Sequence, residues 1–254
     1  MESQMAYKGD YMFYDDLNSK VQSEDLEFYE KLLKKNKDIL EVACGTGRII
    51  SKICKESNYI MGLDNSEEML SIARKKLKDE NVEFVLGDMT KLENIDKKFD
   101  YIICGYNSLQ HILDDEETSN FFGKACNLLK NDGRIIVDIF NPNPLFLNTE
   151  KVHENKCSFY SEYLNCEILV EEERVYDPVR KINYIKYIYI KDDEIITQAD
   201  AKMRQYYDGE IEQIVENTGL KIEKKFGSYE FEEFSKDSPK QIFIIKKDEK
   251  IWKQ

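Results

Sequence analysis

The chain has 254 residues, of which 41% are hydrophobic and 34% charged, so it can bury a full core and lacks the composition of a disordered protein. Its formal net charge is −13, and its lysines recur beside acidic residues rather than in one basic patch. Such a surface repels polyanions, which disfavours nucleic acid as a partner. We expect a monomer or a homodimer.

The six cysteines show neither a CxxC pair nor a metal-ligand spacing, and four of them lie in apolar periodic segments. Free thiols of this kind fit a reducing compartment, and no metal site is expected. Residues 1–10 lack the basic and then apolar pattern of a secretory leader, and no apolar run approaches membrane-spanning length. These features predict a cytoplasmic protein without a membrane partner.

Short β-branched runs alternate with longer amphipathic stretches between residues 38 and 140. They follow an aromatic-rich lead-in at residues 7–17 and a stretch with helical spacing of apolar residues at 25–35. This alternation predicts a parallel sheet covered by helices. The predicted strands are 38–42, 59–63, 82–86, 99–104 and 134–140, and the predicted helices between them are 48–56, 66–79 and 116–129.

The pattern changes after Pro142 and Pro144, where β-rich segments are separated by turn residues. The antiparallel strands predicted here are 158–164, 166–176, 181–191 and 195–205. A helix at 208–218, capped by Asp208 and closed by Gly219, then precedes strands at 220–226 and 241–246. We therefore expect one domain of residues 1–145 and 206–254, with an antiparallel β insertion at 146–205.

The segment ILEVACGTGR at residues 39–48 ends a strand in a Gly-x-Gly turn and begins a helix. Gly45 and Gly47 permit a sharp turn and let a ligand approach the backbone, although the same pattern also serves as a plain strand-to-helix connection. Ile50 stands where a dinucleotide fingerprint has its third glycine, and Glu41 adds negative charge beside the turn. This end of the site is therefore expected to take a cationic ligand rather than a diphosphate.

Acidic residues follow the next two predicted strands. Asp64 comes about where nucleotide-binding α/β folds place the carboxylate that accepts hydrogen bonds from ribose hydroxyls, and a helix cap ahead of Glu67 is its alternative role. Asp88 follows the third strand in a Gly87-Asp88 pair, which also occurs in plain turns. At the end of a strand, Asp88 can accept from an adenine amino group.

The E-x-A-C-G-T-G core at residues 41–47, Asp64, the Gly87-Asp88 pair and Phe99-Asp100 together resemble the class I S-adenosylmethionine-dependent methyltransferases in order and spacing. The resemblance spans about residues 7–247. Within that family the chain most resembles small-molecule enzymes of the glycine and nucleotide-sugar N-methyltransferase kind, which share a Tyr-Asp lead-in found here at Tyr14. It implies a Rossmann-like α/β fold with a seven-stranded sheet, mostly parallel with an antiparallel last strand, plus a small antiparallel β insertion after the fifth strand.

The resemblance also implies that S-adenosylmethionine binds at the glycine turn and leaves as S-adenosylhomocysteine. In that family pattern Asp64 binds both ribose hydroxyls, Asp88 reaches the adenine amino group, and Tyr14 approaches the methionine carboxylate or the acceptor. The methionine portion is lined by Ala43, Gly45 and Gly47, and Glu41 arranges their loop. The residues around the adenosine are Asn65, Met69 and Met89, and Cys104 lies beside the methionine amino group.

His111 follows the fourth strand, at a position from which this family presents substrate-facing groups, and it is one of only 2 histidines. It is the candidate general base, with Tyr14 as the second catalytic candidate, because histidine can remove a proton near neutral pH. A hydrogen-bonded packing role is the alternative for His111. Because the sulfonium methyl is already activated, direct in-line transfer is expected, with nitrogen favoured over oxygen as the attacked atom.

Two other functions stay open from the sequence. An RNA or DNA methyltransferase is disfavoured by the net charge and because Gly105-Tyr106-Asn107-Ser108 is not a base-amino motif of the Asn-Pro-Pro-Tyr kind. A module that binds S-adenosylmethionine without turnover is the other alternative. If the chain is an enzyme, the insertion is expected to supply acceptor contacts through Tyr160, Tyr163, Tyr184, Tyr187 and Tyr189.

Overall fold

The computed structural model describes residues 9–18, 24–145 and 147–248, which form two compact units. The first unit takes in the described parts of Met1–Ser23 and Pro142–Tyr206, and the second takes in those of Glu24–Asn141 and Tyr207–Gln254. Within these described ranges, no helix is long and apolar enough to cross a membrane, and no group of three or more His, Cys, Asp or Glu side chains could hold a metal ion.

Strands and helices alternate through the first half of the chain, and strands dominate its second half. The strands are β1 (Asp38–Val42), β2 (Tyr59–Asp64), β3 (Val82–Leu86), β4 (Phe99–Cys104), β5 (Leu129–Phe140), β6 (Val152–Ser161), β7 (Cys166–Asp177), β8 (Ile182–Lys191), β9 (Glu194–Arg204), β10 (Leu220–Phe226) and β11 (Lys240–Lys247). The α-helices are α1 (Tyr14–Asn18), α2 (Glu24–Leu32), α3 (Arg48–Ile53), α4 (Glu67–Lys76), α5 (Asp115–Leu128) and α6 (Glu210–Glu216).

The second unit contains a seven-stranded sheet with the order β10-β11-β5-β4-β1-β2-β3. The pairings among β1 to β5 are parallel, whereas β11 runs antiparallel to both β5 and β10. The predicted seven-stranded, mostly parallel sheet with an antiparallel last strand is therefore confirmed. The strand order reverses between β1 and β4, and ligands of open α/β sheets bind at the carboxyl ends of the strands at such a switch point.

Helix α4 illustrates how the sequence sets the elements around this sheet. Its N-cap is Ser66, whose Oγ accepts a hydrogen bond from the Met69 N–H at 3.2 Å. Glu67 and Glu68 lie in its first turn and Lys76 in its last, where their charges favour the helix dipole. The predicted helix start is therefore present, and the carboxyl end of β2 is followed by a fixed polar turn.

The apolar faces of the helices pack on the inner strands. Phe28 and Tyr29 of α2 and Ile50 of α3 are fully buried in one cluster with Leu70 of α4 and Ile39 of β1. Burial of large side chains contributes on the order of 2 kcal/mol each to stability. The cluster also contains Cys44 of the turn between β1 and α3 and Ile49 of α3, so the turn is packed against the core.

The first unit contains a four-stranded antiparallel sheet with the order β6-β7-β8-β9. Phe13, from the short 3-10 helix Tyr11–Phe13, stacks on Tyr189 and contacts Phe159 on one face of this sheet. The Tyr189 hydroxyl donates to Asp10 at 2.7 Å. Because side chains alternate along a strand, Tyr187 lies on the same face of β8 as Tyr189.

Several boundaries differ from the predictions for physical reasons. β5 begins at Leu129 rather than at Arg134, because Leu129 pairs with Phe99 before a register shift. β6 ends at Ser161, since its pairing with β7 closes in a turn before Cys166. The predicted cap of the sixth helix at Asp208 is wrong: its N-cap is a left-handed glycine without a side-chain cap, and the Asp208 carboxylate instead lies 2.6 Å from a lysine of β10.

Candidate functional site

The glycine turn connects β1 to α3 through left-handed backbone conformations. Ala43, Gly45 and Gly47 have φ angles of 51°, 55° and 74°. The Gly47 N–H donates to the Cys44 carbonyl at 2.9 Å, and the Cys44 N–H donates to the Leu63 carbonyl at 3.1 Å. A Cβ built on Gly45 meets no described atom within 4 Å, so a ligand can approach the bare backbone there.

Asp64 ends β2 beside the glycine turn and ties the two elements together. Its Oδ2 accepts from the Gly45 N–H at 2.7 Å, and its Oδ1 accepts from the Ser66 N–H at 2.9 Å. Burial raises the pKa of Asp64, and hydrogen bonds from backbone N–H groups oppose that rise. Because Ser66 caps α4, Asp64 does not have the alternative capping role. Each carboxylate oxygen has two lone pairs, so Asp64 can still accept from a hydroxyl group of a ligand.

Glu41 lies in β1 just before the glycine turn and is 3% exposed. Its Oε2 accepts no hydrogen bond from the described residues. Burial raises the pKa of Glu41 to about 8; Arg48 opposes this rise, whereas Asp64 and Asp25 add to it. A buried carboxyl group with an unsatisfied oxygen is stabilised by a cation or a donor on a ligand.

The turn after β3 places Asp88 next to the end of β2. The Gly87 N–H donates to the Asp64 carbonyl at 2.8 Å. Asp88 Oδ1 accepts from the N–H and the hydroxyl of Thr90 at 2.8 and 2.7 Å, whereas Lys91 Nζ lies 3.8 Å from Oδ2. Asp88 therefore shapes its own turn through Oδ1, and Oδ2 is the oxygen with the weaker contact that could accept from a ligand.

Cys104 and His111 mark the two ends of the segment that follows β4. Cys104 is fully buried, and burial raises the pKa of its thiol far above the usual value. His111 is half-buried at the end of the 3-10 helix Ser108–His111. Because Glu41 pairs with Ile103 in the sheet, this segment starts beside the glycine turn.

The structure brings most of the predicted site residues to one edge of the seven-stranded sheet, and one of them belongs to the other unit. Asn65 is exposed, Met69 is buried and Met89 is half-buried, all after the carboxyl ends of β2 and β3. The predicted residues of the second unit are Glu41, Ala43, Gly45, Gly47, Asp64, Asn65, Met69, Asp88, Met89, Cys104 and His111. Tyr14 belongs to the first unit, where it is half-buried at the start of α1.

Sequence reasoning missed a buried ion pair beside the glycine turn. Arg48 opens α3 and donates to both carboxylate oxygens of Asp25 in α2, at 2.9 and 2.5 Å. The guanidinium carbon also lies 4.8 Å from the centre of the Tyr106 ring, which follows β4. Arg48 therefore links the two chain segments on either side of the switch point. Its sequence signal was its place as the first residue after the Gly-x-Gly turn.

A second missed group surrounds Asp138 of β5, which is fully buried. Burial raises the pKa of Asp138, but the Lys240 ammonium and several hydrogen bonds outweigh this and hold the pKa below its usual value. The sequence signal was a single charged residue within the apolar run RIIVDIF at residues 134–140.

The site thus combines a bare backbone turn, buried carboxylates and a half-buried histidine. Asp64 and Asp88 offer acceptors to hydroxyl and amino groups, and Glu41 offers a carboxyl group to a cation. Such a set suits a ligand that carries a polyhydroxylated ring, a basic heterocycle and a positive charge. A group that loses a proton near the end of β4 could pass it to His111.

A methyltransferase domain family model matches residues 39–133 of the chain. A protein of Geobacillus sp. (strain WCH70) named as a methyltransferase is 34% identical over 143 residues, which are 53% of this chain and 58% of that protein. The chain thus matches little more than half the length of this relative. The glycine/sarcosine N-methyltransferase of Aphanothece halophytica is 25% identical over 232 residues, covering 89% of this chain and 83% of that protein.

Solved structures share the fold over most of this chain. The CcbJ methyltransferase from Streptomyces caelestis has a TM-score of 0.77 at 20% identity, with 94% of this chain and 90% of that chain covered. CalS10, an amino pentose methyltransferase from Micromonospora echinaspora solved with S-adenosylmethionine bound, has a TM-score of 0.68 at 12% identity, with 93% and 96% covered. At these identities the similarity establishes the fold.

Proposed function

Because residues 39–133 form a methyltransferase domain and the chain has the class I methyltransferase fold, we propose that it transfers a methyl group from S-adenosylmethionine to a small-molecule acceptor. The resemblance found in the sequence is confirmed by these similarities. The observation that carries the proposal is the hydrogen bond from the Gly45 N–H to Asp64 Oδ2 at 2.7 Å, which joins the ends of β1 and β2 beside the switch point of the sheet. It fixes a carboxylate and a bare glycine turn side by side.

The residues present fit this cofactor. The unsatisfied Oε2 of Glu41 is suited to the positively charged methionine end, and the space beside Gly45 leaves room for it. Asp64 would accept from the ribose hydroxyls through its remaining lone pairs, and Asp88 would accept from the adenine amino group. The further residues that we place around the cofactor are Ala43, Gly47, Asn65, Met69, Met89, Cys104 and Tyr14.

The protein's part in the reaction is mainly to orient the acceptor. When bound, S-adenosylmethionine supplies an electrophilic methyl group. The segment after β4 would hold the acceptor atom opposite the sulfur. In typical enzymes, such positioning lowers the activation barrier by on the order of 7 kcal/mol. A neutral amine needs only to lose a proton to water or to His111, whereas a hydroxyl group needs more help from a base. Nitrogen is therefore favoured over oxygen as the attacked atom.

A small acceptor is supported by two features. The net charge of −13 opposes nucleic acid, and the long relative with 83% of its length covered is a glycine/sarcosine N-methyltransferase. We assign the four-stranded unit a role in acceptor binding through its exposed or half-buried tyrosines, which are Tyr160, Tyr163, Tyr184 and Tyr187. Tyr189 is a poorer candidate, because it is buried and its hydroxyl donates to Asp10.

Calorimetric titration with S-adenosylhomocysteine tests the site. We expect Asp64→Ala to weaken binding at least about tenfold, because hydrogen bonds to a carboxylate contribute about 1.5–3 kcal/mol. Asp132→Ala, which changes an exposed aspartate of β5, is the matched control and should bind like the native chain. Equal affinity of the Asp64→Ala variant and the native chain would refute the ribose assignment.

Asp64→Ala also removes the hydrogen bond to Gly45, so a second arm isolates the ribose contact. The titration is repeated with S-adenosylhomocysteine analogues that lack the 2′ or the 3′ hydroxyl. If Asp64 contacts these hydroxyls, their removal weakens binding to the native chain and has little further effect on the variant. Turnover is then measured as S-adenosylhomocysteine release over a panel of amines and alcohols. Binding without turnover on the whole panel would favour a non-catalytic module.

A further inference from the structure

Asp138 accepts hydrogen bonds from four segments of the second unit. Its Oδ2 accepts from the Tyr29 hydroxyl of α2 at 2.6 Å and from the Tyr106 backbone N–H at 2.7 Å. Its Oδ1 accepts from the Tyr229 hydroxyl at 2.8 Å and from Lys240 Nζ of β11 at 2.7 Å. Both oxygens are thereby fully used, so Asp138 is anchored rather than available to a ligand.

The same aspartate holds a left-handed turn directly after β4. Tyr106 and Asn107 have φ angles of 49° and 65°, conformations that residues other than glycine rarely adopt. The Asn107 N–H donates to the Asp138 carbonyl at 3.0 Å, and Asn107 Oδ1 accepts from Lys240 Nζ at 3.1 Å. Backbone and side-chain contacts from Asp138 and Lys240 therefore keep the turn in a conformation that it would not hold alone.

The turn places the Tyr106 ring beside the start of α3. The Arg48 guanidinium carbon lies 4.8 Å from the ring centre and Lys240 Nζ lies 5.9 Å from it. Tyr106 as a whole residue is half-buried. Since Arg48 directly follows Gly47, Tyr106 lies at the switch point beside the glycine turn.

The residues next to the Tyr106–Asn107 turn are closely packed around Gly105. A Cβ on Gly105 would lie 2.9 Å from the Tyr29 hydroxyl oxygen and 2.7 Å from Ile49 Cδ1. A larger residue at position 105 would therefore crowd the Tyr29 hydroxyl that donates to Asp138. A hydrophobic side chain in place of Asp138 could fill the space but could not accept from the Tyr106 N–H.

We propose that Asp138 is a positioning residue for methyl transfer, which with Lys240 holds the Tyr106–Asn107 turn so that the Tyr106 side chain contacts the acceptor. This inference rests on the proposed function. It predicts that disturbing Asp138 changes the handling of the acceptor while cofactor binding is kept, because the residues assigned to the adenosine follow β2 and β3 instead.

The test compares steady-state kinetics with calorimetric binding of S-adenosylhomocysteine, using an acceptor found in the panel. For Asp138→Asn and Tyr106→Leu we expect kcat/KM for the acceptor to fall at least about tenfold, while S-adenosylhomocysteine affinity stays within about threefold of the native value. Tyr229→Phe removes one hydrogen bond and should give a smaller loss. The matched control is Tyr59→Phe, which deletes a tyrosine–glutamate hydrogen bond at the start of β2, away from this edge.

Asp138→Asn leaves the Lys240 cation buried without its carboxylate partner, which can destabilise the fold. The double variant Asp138→Asn with Lys240→Met also removes the cation and is therefore tested beside it. In both variants, amide hydrogen exchange at Tyr106 and Asn107 should accelerate while that of the glycine turn does not. Native kcat and KM in Asp138→Asn, measured below its thermal midpoint, would overturn this inference alone. Absence of turnover by the native chain on every acceptor would overturn both it and the proposed function.

Discussion

Gly47 and Leu77 approach each other so closely that a Cβ on Gly47 would lie 3.0 Å from the Leu77 Cδ1 atom. The Phe84 ring would lie 3.3 Å from the same Cβ. Gly47 is also the N-cap of α3 with a φ of 74°. Steric crowding and left-handed backbone thus act together at this one position.

Alanine substitutions at the two glycines of the turn should separate stability from binding. Gly47→Ala is expected to destabilise the fold by about 1–3 kcal/mol, because the methyl group is crowded and the backbone strained. Gly45→Ala faces no described atom within 4 Å, so its cost is backbone strain alone. Its methyl group would instead enter the space that we assign to the cofactor. Thermal denaturation measures the stability of both variants, and calorimetric titration with S-adenosylhomocysteine measures their affinity. If Gly45→Ala and Gly47→Ala had the same stability and lost the same affinity, the prediction would be contradicted.

Breaking the ion pair between Asp25 and Arg48 should be strongly destabilising. Asp25 is 2% exposed and the Arg48 side chain is 14% exposed, so Asp25→Asn leaves a poorly solvated cation without its partner. We expect a loss of about 3–5 kcal/mol in the free energy of unfolding. Urea denaturation measures it.

The matched control is the ion pair between Glu30 and Lys52, which joins the same two helices on the surface at 3.0 Å. Glu30→Gln should cost less than about 1 kcal/mol, because exposed pairs contribute little. Similar losses for the buried and the exposed pair would show that burial of Arg48 does not matter.

Glu41 should make the stability of the protein depend on pH. Its pKa is about 8 in the folded protein and 4.5 in its ordinary state, so the folded protein binds the proton more tightly than the unfolded chain. The stabilisation is complete below pH 4.5 and is lost as the pH rises through 8. Glu41→Gln should therefore be more stable than the native chain at pH 9. The difference in free energy of unfolding between the variant and the native chain should shift in favour of the variant by on the order of a few kcal/mol from pH 4 to pH 9.

Urea denaturation of the Glu41→Gln variant and the native chain across this pH range measures the effect. Glu83→Gln, a change at an exposed position of β3, provides the control. Parallel stability curves for Glu41→Gln and the native chain would contradict the raised pKa of Glu41.

His111 can be tested against the second histidine of the chain. If His111 accepts the proton of the acceptor, His111→Gln lowers kcat, by about 10²–10⁴ for a hydroxyl acceptor and by less for an amine. His153 lies in β6 and pairs with Glu171 at 2.8 Å on an exposed surface, so His153→Gln should leave kcat unchanged. A stability loss with native kcat in His111→Gln would assign it a packing role instead.

Features that depend on neighbouring residues could be predicted from the sequence. The bounds of β1, β3 and β4 agree with the periodic apolar runs, and the Gly-x-Gly turn lies where its spacing places it. The proximity of Asp64 to Gly45 also follows from the sequence, since parallel neighbouring strands end at the same edge. These predictions required only the sequences of single strands and of strands that follow each other along the chain.

The contacts around Asp138 could not be predicted in this way. Tyr229 and Lys240 are 91 and 102 positions away from Asp138, and they meet it only because β11 pairs with β5. The mistaken Asp208 cap has a nearer cause, because the lysine that binds this carboxylate lies in β10, the strand that directly follows α6. Long-range pairing therefore decides which polar residues surround the site.

The placement of β11 between β5 and β10 also affects how the protein is made. During synthesis β5 leaves the ribosome about a hundred residues before its antiparallel neighbour, and for that time one of its edges carries unpaired N–H and C=O groups. Lys240 arrives with the same strand, so Asp138 has no counter-charge until then. A ribosome-stalled chain ending before residue 240 should therefore be captured by chaperones and cleaved by proteases, and release of the last strand should end both.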